Sequence, residues 1–261
     1  MLNPSTAAGE PQDTKGFIGT WLSGGVTLSF GPNPAEVSET VKLTLQDDVQ
    51  RTLDVSTPVT WAVANGIADL GYDEAGSQGN SKWLYFYAVP KSGDDSLLTI
   101  RASDNVPSTG PAGYTEYKCV CSAYMEAGAT LRQFLQTGNK FTYAGFITDY
   151  NQSNVAAFAW TSRDVSVFVP QTAQVAHTFM RIVTSVGTNG YQHHVSGVSG
   201  SGFNFVESYS TGEVSYDTGS ADIPIFTAQT LYHTLILVLG SGTCLGVSWF
   251  HTGYTDGAID S

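Results

Sequence analysis

Apolar and polar residues alternate with a period of two along most of this chain, the pattern of half-buried β-strands whose successive side chains point to opposite faces. Val26, Leu28 and Phe30 alternate with polar residues until Gly31-Pro32-Asn33-Pro34 interrupts them. Val41, Leu43 and Leu45 repeat the pattern ahead of Asp47-Asp48. Trp83-Leu84-Tyr85-Phe86-Tyr87-Ala88-Val89 is continuously apolar or aromatic, which predicts a strand covered on both faces. Pro90 and the Ser92-Gly93-Asp94-Asp95 turn end it. Tyr117 to Tyr124, Leu131 to Leu135 and Phe141 to Tyr143 are further predicted strands.

Past residue 144 the rhythm continues through Val155 to Trp160, Val165 to Val169, Thr178 to Val186, Tyr191 to Val198, Phe203 to Tyr209, Ile223 to Phe226, Leu231 to Leu239 and Leu245 to Phe250. Gly, Pro and Asn clusters separate these segments. Short strands so evenly spaced predict a two-sheet sandwich, with a jelly roll as one way to wrap it. Only Asn65 to Leu70 and Thr172 to Ala176 look helical. The expected fold class is all-β, with two β-sandwich-like domains at 17–143 and 144–261; one continuous sandwich is the alternative. Residues 1–16 have almost nothing large to bury and are expected to form an extended assembly arm, with Pro4, Pro11 and Phe17 as its contact residues.

Composition fits this reading. Charged residues make up 13 % of the 261, about half the usual share, while aromatics reach 12 % and glycines number 28. The 11 basic and 23 acidic residues leave a net charge of -12. Nucleic acid and anionic lipid demand a basic stripe, and cations such as Lys140 and Arg163 stand alone, so neither partner is expected. No apolar run approaches the roughly 20 residues of a membrane span, so no membrane insertion is expected. The N-terminal segment lacks the basic start and apolar stretch of a signal peptide. Cys119, Cys121 and Cys244 are accordingly expected to be buried free thiols.

The stretch between Arg51 and Tyr143 carries a distinctive succession of motifs. Thr60-Trp61-Ala62-Val63-Ala64-Asn65-Gly66-Ile67-Ala68-Asp69-Leu70-Gly71 precedes the aromatic Trp83–Val89 strand. Leu97-Leu98-Thr99-Ile100-Arg101-Ala102-Ser103, then Pro111-Ala112-Gly113-Tyr114, then Phe134-Leu135-Gln136-Thr137-Gly138-Asn139-Lys140-Phe141 follow in order. This succession resembles a domain of tailed-bacteriophage virion structural proteins of the tail-fibre or minor structural type. The resemblance implies a non-enzymatic virion component, made in the bacterial cytoplasm. It would serve as head decoration, head or collar fibre, or tail appendage. Its partners would be itself, as a homotrimer, and other virion proteins of the capsid, portal, collar or tail. The C-terminal sandwich would face outward.

Gly197-Val198-Ser199-Gly200-Ser201-Gly202 misses the G-x-S-x-G nucleophile elbow and reads as a loop. His193-His194 cannot share one ion on a strand, because neighbours face opposite sides; Glu213, Asp217 and His251 are acids and a base that folding could bring near them. Asp47-Asp48 and Asp94-Asp95 are solvated turn pairs, and Asp149, Glu207, Asp217 and Asp222 cannot be paired by spacing. No catalytic set, metal site or cofactor is therefore expected. Aromatics stack on sugar faces, so Trp249, Tyr254 and Tyr191 are the candidate contacts for a host surface glycan, with Tyr209 and Tyr216 in the same half. Glycan recognition is the second functional expectation, and glycan depolymerisation a distant third.

Overall fold

The structure, a computed structural model, describes residues 17–21, 27–32, 41–53, 59–62, 71–73, 81–185, 188–200, 204–211 and 213–259. It is all-β, with no helix among the described residues. The first ten strands are β1 (Phe17–Trp21), β2 (Thr27–Pro32), β3 (Val41–Thr44), β4 (Gln50–Leu53), β5 (Val59–Ala62), β6 (Lys82–Lys91), β7 (Asp94–Ser103), β8 (Lys118–Glu126), β9 (Thr130–Leu131) and β10 (Phe134–Thr137). There follow β11 (Lys140–Val155), β12 (Phe158–Asp164), β13 (Ala173–Thr184), β14 (Thr188–Ser196), β15 (Asn204–Thr211), β16 (Ser215–Pro224), β17 (Thr230–Leu239) and β18 (Cys244–Asp256).

The described residues form three sheets. Eight strands run in the order β16-β13-β18-β11-β10-β1-β2-β5, six in the order β3-β4-β7-β6-β8-β9, and four in the order β12-β17-β14-β15. From β11 onward the chain wraps as a jelly roll. The sets β11-β18-β13-β16 and β12-β17-β14-β15 face each other, and the chain crosses between them at every connection but the β14–β15 hairpin. The eight-strand sandwich expected after residue 144 is present, with β11 rather than Val165–Val169 as one of its strands.

The domain boundary expected after Tyr143 falls inside β11, which runs unbroken from Lys140 to Val155 and pairs with β18 from Thr255 to Cys244. The large sheet therefore belongs to both halves. The six-stranded sheet covers one stretch of it: Trp83 of β6 meets Tyr254 of β18 edge-on at 5.3 Å, and Phe141 stacks on Tyr254 at 4.5 Å. The four-stranded sheet covers the next stretch, where His233 of β17 lies 5.7 Å from Trp249 of β18. One continuous hydrophobic core joins residues of all three sheets.

Two local features hold the halves in register. Gly253 lets β11 and β18 close up, since a Cβ there would lie 1.9 Å from the Phe141 carbonyl oxygen. Residues 165–169, expected as a strand, form a tight turn instead. Asp164 Oδ1 accepts the Ser166 N–H, and the Val165 carbonyl accepts N–H groups from Phe168 and Val169. This turn fills the seam: Trp83 Nε1 donates to the Ser166 carbonyl, Tyr143 to the Phe168 carbonyl, and the Phe168 ring stacks on His251 at 4.5 Å.

The expected helix at 172–176 is replaced by the start of β13, whose backbone is taken up by pairing with β16 and β18. The one expected at 65–70 lies outside the described residues, as do Pro4 and Pro11. Phe17 opens β1 opposite Pro32 and is part of the large sheet.

Candidate functional site

The titratable groups of the jelly roll sort onto two faces of the four-stranded sheet. Strand alternation sends His193 inward and His194 outward, as their adjacency requires. On the inward side, His193 Nε2 and His233 Nδ1 sit 3.3 Å apart, one donating and the other accepting. Across the gap His251 Nε2 donates to Asp149 Oδ2 at 3.2 Å, and Arg163 Nη2 donates to Asp149 Oδ1 at 2.7 Å. Trp249, Tyr150 and Phe158 fill the space around His233.

This layer is sealed. His193, His233, His251 and Trp249 are buried, and the Asp149 carboxylate is 1 % exposed. Burial depresses the His193 pKa to about 3, helped by the neighbouring His233 and His194. It depresses that of His233 to about 4, with the Arg163 charge adding to the effect. His251 is lowered by burial despite the Asp149 contact. Burial pushes Asp149 up, but its bonds to His251 and Arg163 outweigh this and hold it below the usual carboxylate value. The group is thus neutral imidazoles plus one compensated ion pair. The two sheets close over the imidazoles and the Asp149 carboxylate.

The other candidates are scattered. Asp222 binds His177 Nδ1 at 2.6 Å, Asp217 accepts from Ser215, and Asp47 is held low, to about 2, chiefly by its bond to Arg51. Of the groups expected near the histidines, His251 joins the layer, and Asp149 takes the place of Asp217 and Glu213. No cluster of three His, Cys, Asp or Glu among the described residues is placed to hold a metal ion. Cys119, Cys121 and Cys244 are free and buried, and burial raises all three thiols.

The three aromatics expected at a glycan site are corrected by the structure. Trp249, Tyr254 and Tyr191 are 0 %, 1 % and 0 % exposed, so no sugar face can stack on them. Each points into the core because its strand register puts that parity inward. Tyr209 and Tyr216 are the exposed members of the group, at 48 % and 70 %.

Tyr209 belongs to an organised surface on the outward side of the four-stranded sheet. β15 aligns with β14 so that Phe205 faces His194, Glu207 faces Gln192 and Tyr209 faces Gly190. Phe205 stacks on the His194 ring at 4.8 Å and 22°, and Trp160 of β12 meets that imidazole edge-on at 6.2 Å. Tyr209 lies over Gly190, where a Cβ would fall 2.4 Å from the ring; only glycine leaves room for it to lie flat. Between the two rings, Glu207 Oε1 accepts from both Gln192 Nε2 and the Tyr209 hydroxyl, and His194 Nε2 donates to Gln192 Oε1. The Tyr209 and Gln192 hydrogen bonds hold the Glu207 carboxyl below its usual pKa. The period-two run Phe205-Glu207-Tyr209 was visible in the sequence, but its outward parity was not.

No protein-family model matches this chain, and no curated protein is similar to it.

Proposed function

We propose that this chain is a non-enzymatic structural component of a tailed-phage particle that assembles as a homotrimer, with its N-terminal region toward the particle and the jelly roll outward. The order of elements between Arg51 and Tyr143 supports the phage assignment by resemblance. The observation that carries the assembly role is a phenyl cluster on the outer side of the large sheet. Phe146 of β11 is 62 % exposed and stacks on Phe179 of β13 at 4.9 Å, with Phe250 of β18 at 5.8 Å. A recess of about 320 Å³ lined by Arg132, Tyr143, Phe146 and Ile147 adjoins it.

On β11 the neighbouring Thr148 is exposed and uncharged, while Arg181, two residues from Phe179 on β13 and opposite Ser248, edges the cluster with one positive charge. A chain of charge -12 repels its own copies at long range, so contact needs a local apolar surface of this kind. The buried imidazoles and Asp149 support a scaffold reading, because they hold two sheets together and offer substrate no path. Tailed-phage particles assembled without this chain should take up the purified protein. The Phe146→Asp variant should be taken up at least tenfold less while unfolding at the same temperature. Absence of uptake by the wild-type chain would overturn the reading.

A further inference from the structure

We propose that the outward face of β12, β17, β14 and β15 is a binding site for a neutral carbohydrate chain, laid over Phe205 and Tyr209 with its hydroxyls donating to Glu207. Two rings lie flat on the sheet, each with one face occupied by the protein: Phe205 rests on His194, and Tyr209 on Gly190. Both are about half exposed, so their other faces are open. Four residues separate them along β15, a span of roughly 13 Å at 3.3 Å per residue, enough for a short oligosaccharide rather than a single ring. Flat apolar platforms at that separation suit the C–H faces of sugars. Trp160 adds a third ring on the far side of His194.

The polar row decides between ligand classes. Glu207 spends Oε1 on Gln192 and Tyr209, and no bond from a described residue engages Oε2. Its carboxylate is therefore fixed in place with acceptor capacity to spare, the arrangement that charge-assisted O–H donors favour. Hydroxyl-rich sugars supply such donors and leave the interface wet. A second copy of this chain, or an apolar peptide, would bury an ionised carboxylate with neither Lys nor Arg among the described residues of the row to compensate it, which is unfavourable. Nucleic acid would stack on the same rings, but its phosphates would meet Glu207 on a chain of charge -12. The row Glu207–Gln192–His194 is already hydrogen-bonded, so little ordering remains for binding to impose.

The test uses the full chain on a printed array of bacterial capsule and O-antigen oligosaccharides with cello-, malto- and chito-oligosaccharides, followed by calorimetric titration of the ligand captured. Binding of a neutral oligosaccharide is expected, weakened at least tenfold by Phe205→Ala, by Tyr209→Ala and by Glu207→Gln, with unfolding temperatures unchanged. The Phe146→Asp variant should bind as wild type, which separates this site from the assembly surface. An array with no captured glycan, capture undiminished in the Phe205→Ala/Tyr209→Ala double variant, or a loss of oligomeric mass in that variant would each overturn the site. None of these results bears on uptake into particles.

Discussion

Four buried side chains set how the protein responds to acid. His193 and His233 have folded-state pKa values near 3 and 4, against an ordinary 6.5, because burial opposes their charge. Below pH 6.5 the unfolded chain binds protons that the folded one refuses, so stability falls as pH drops from about 6.5 toward 4. Asp149, held low by His251 and Arg163, adds its own loss only at lower pH, below its ordinary 3.8. Thermal unfolding followed by circular dichroism should show a declining Tm between pH 6.5 and 4.5, and His233→Gln should flatten that slope. A wild-type Tm constant across this interval would contradict the assignment. That His193 and His194 point opposite ways was legible in the sequence, from adjacency alone. That Asp149, 102 positions from His251, completes the layer was not, because β11 and β18 meet only in the folded sheet.

At the level of single elements, legibility followed burial. β6 and β8 read correctly because both are covered on both faces and carry unbroken apolar runs. The far half of β11 and most of β16 escaped notice because they present polar residues to solvent, and their pairing comes from neighbours rather than from their own pattern. Val165, Val167 and Val169 imitate a strand, yet Asp164 captures the next turn and folds them over the seam. The glycan-site aromatics went wrong by parity: one residue of register separates buried Tyr191 from its outward neighbour Gln192. The close approach of β11 and β18 yields a sharp prediction. Gly253→Ala places a methyl group against the Phe141 carbonyl and should cost roughly 1–3 kcal/mol in denaturant unfolding. Gly145→Ala, in the same pair of strands with open space around it, should stay within about 0.5 kcal/mol. Equal effects would show that the strands part easily.

Across the whole molecule, the shared eight-stranded sheet makes one body of what the sequence divided at residue 144. Cutting there would sever β11 and strip β18 of its partner over part of its length. Calorimetry should give a single unfolding transition, with Trp249→Ala, beneath the four-stranded sheet, and Tyr85→Ala, beneath the six-stranded one, each lowering that same transition by about 3–5 kcal/mol. Two separable transitions, each answering to one variant, would restore the two-domain division. The exposed Phe146 and the half-buried Phe179 and Phe250 rings sit on the outside of this one body, and copies are proposed to meet there. Native mass measurement of the full chain at micromolar concentration tests that most directly. A species of three times 27.8 kDa is expected, falling to a single chain in Phe146→Asp. A wild-type chain that stays monomeric at that concentration would contradict it.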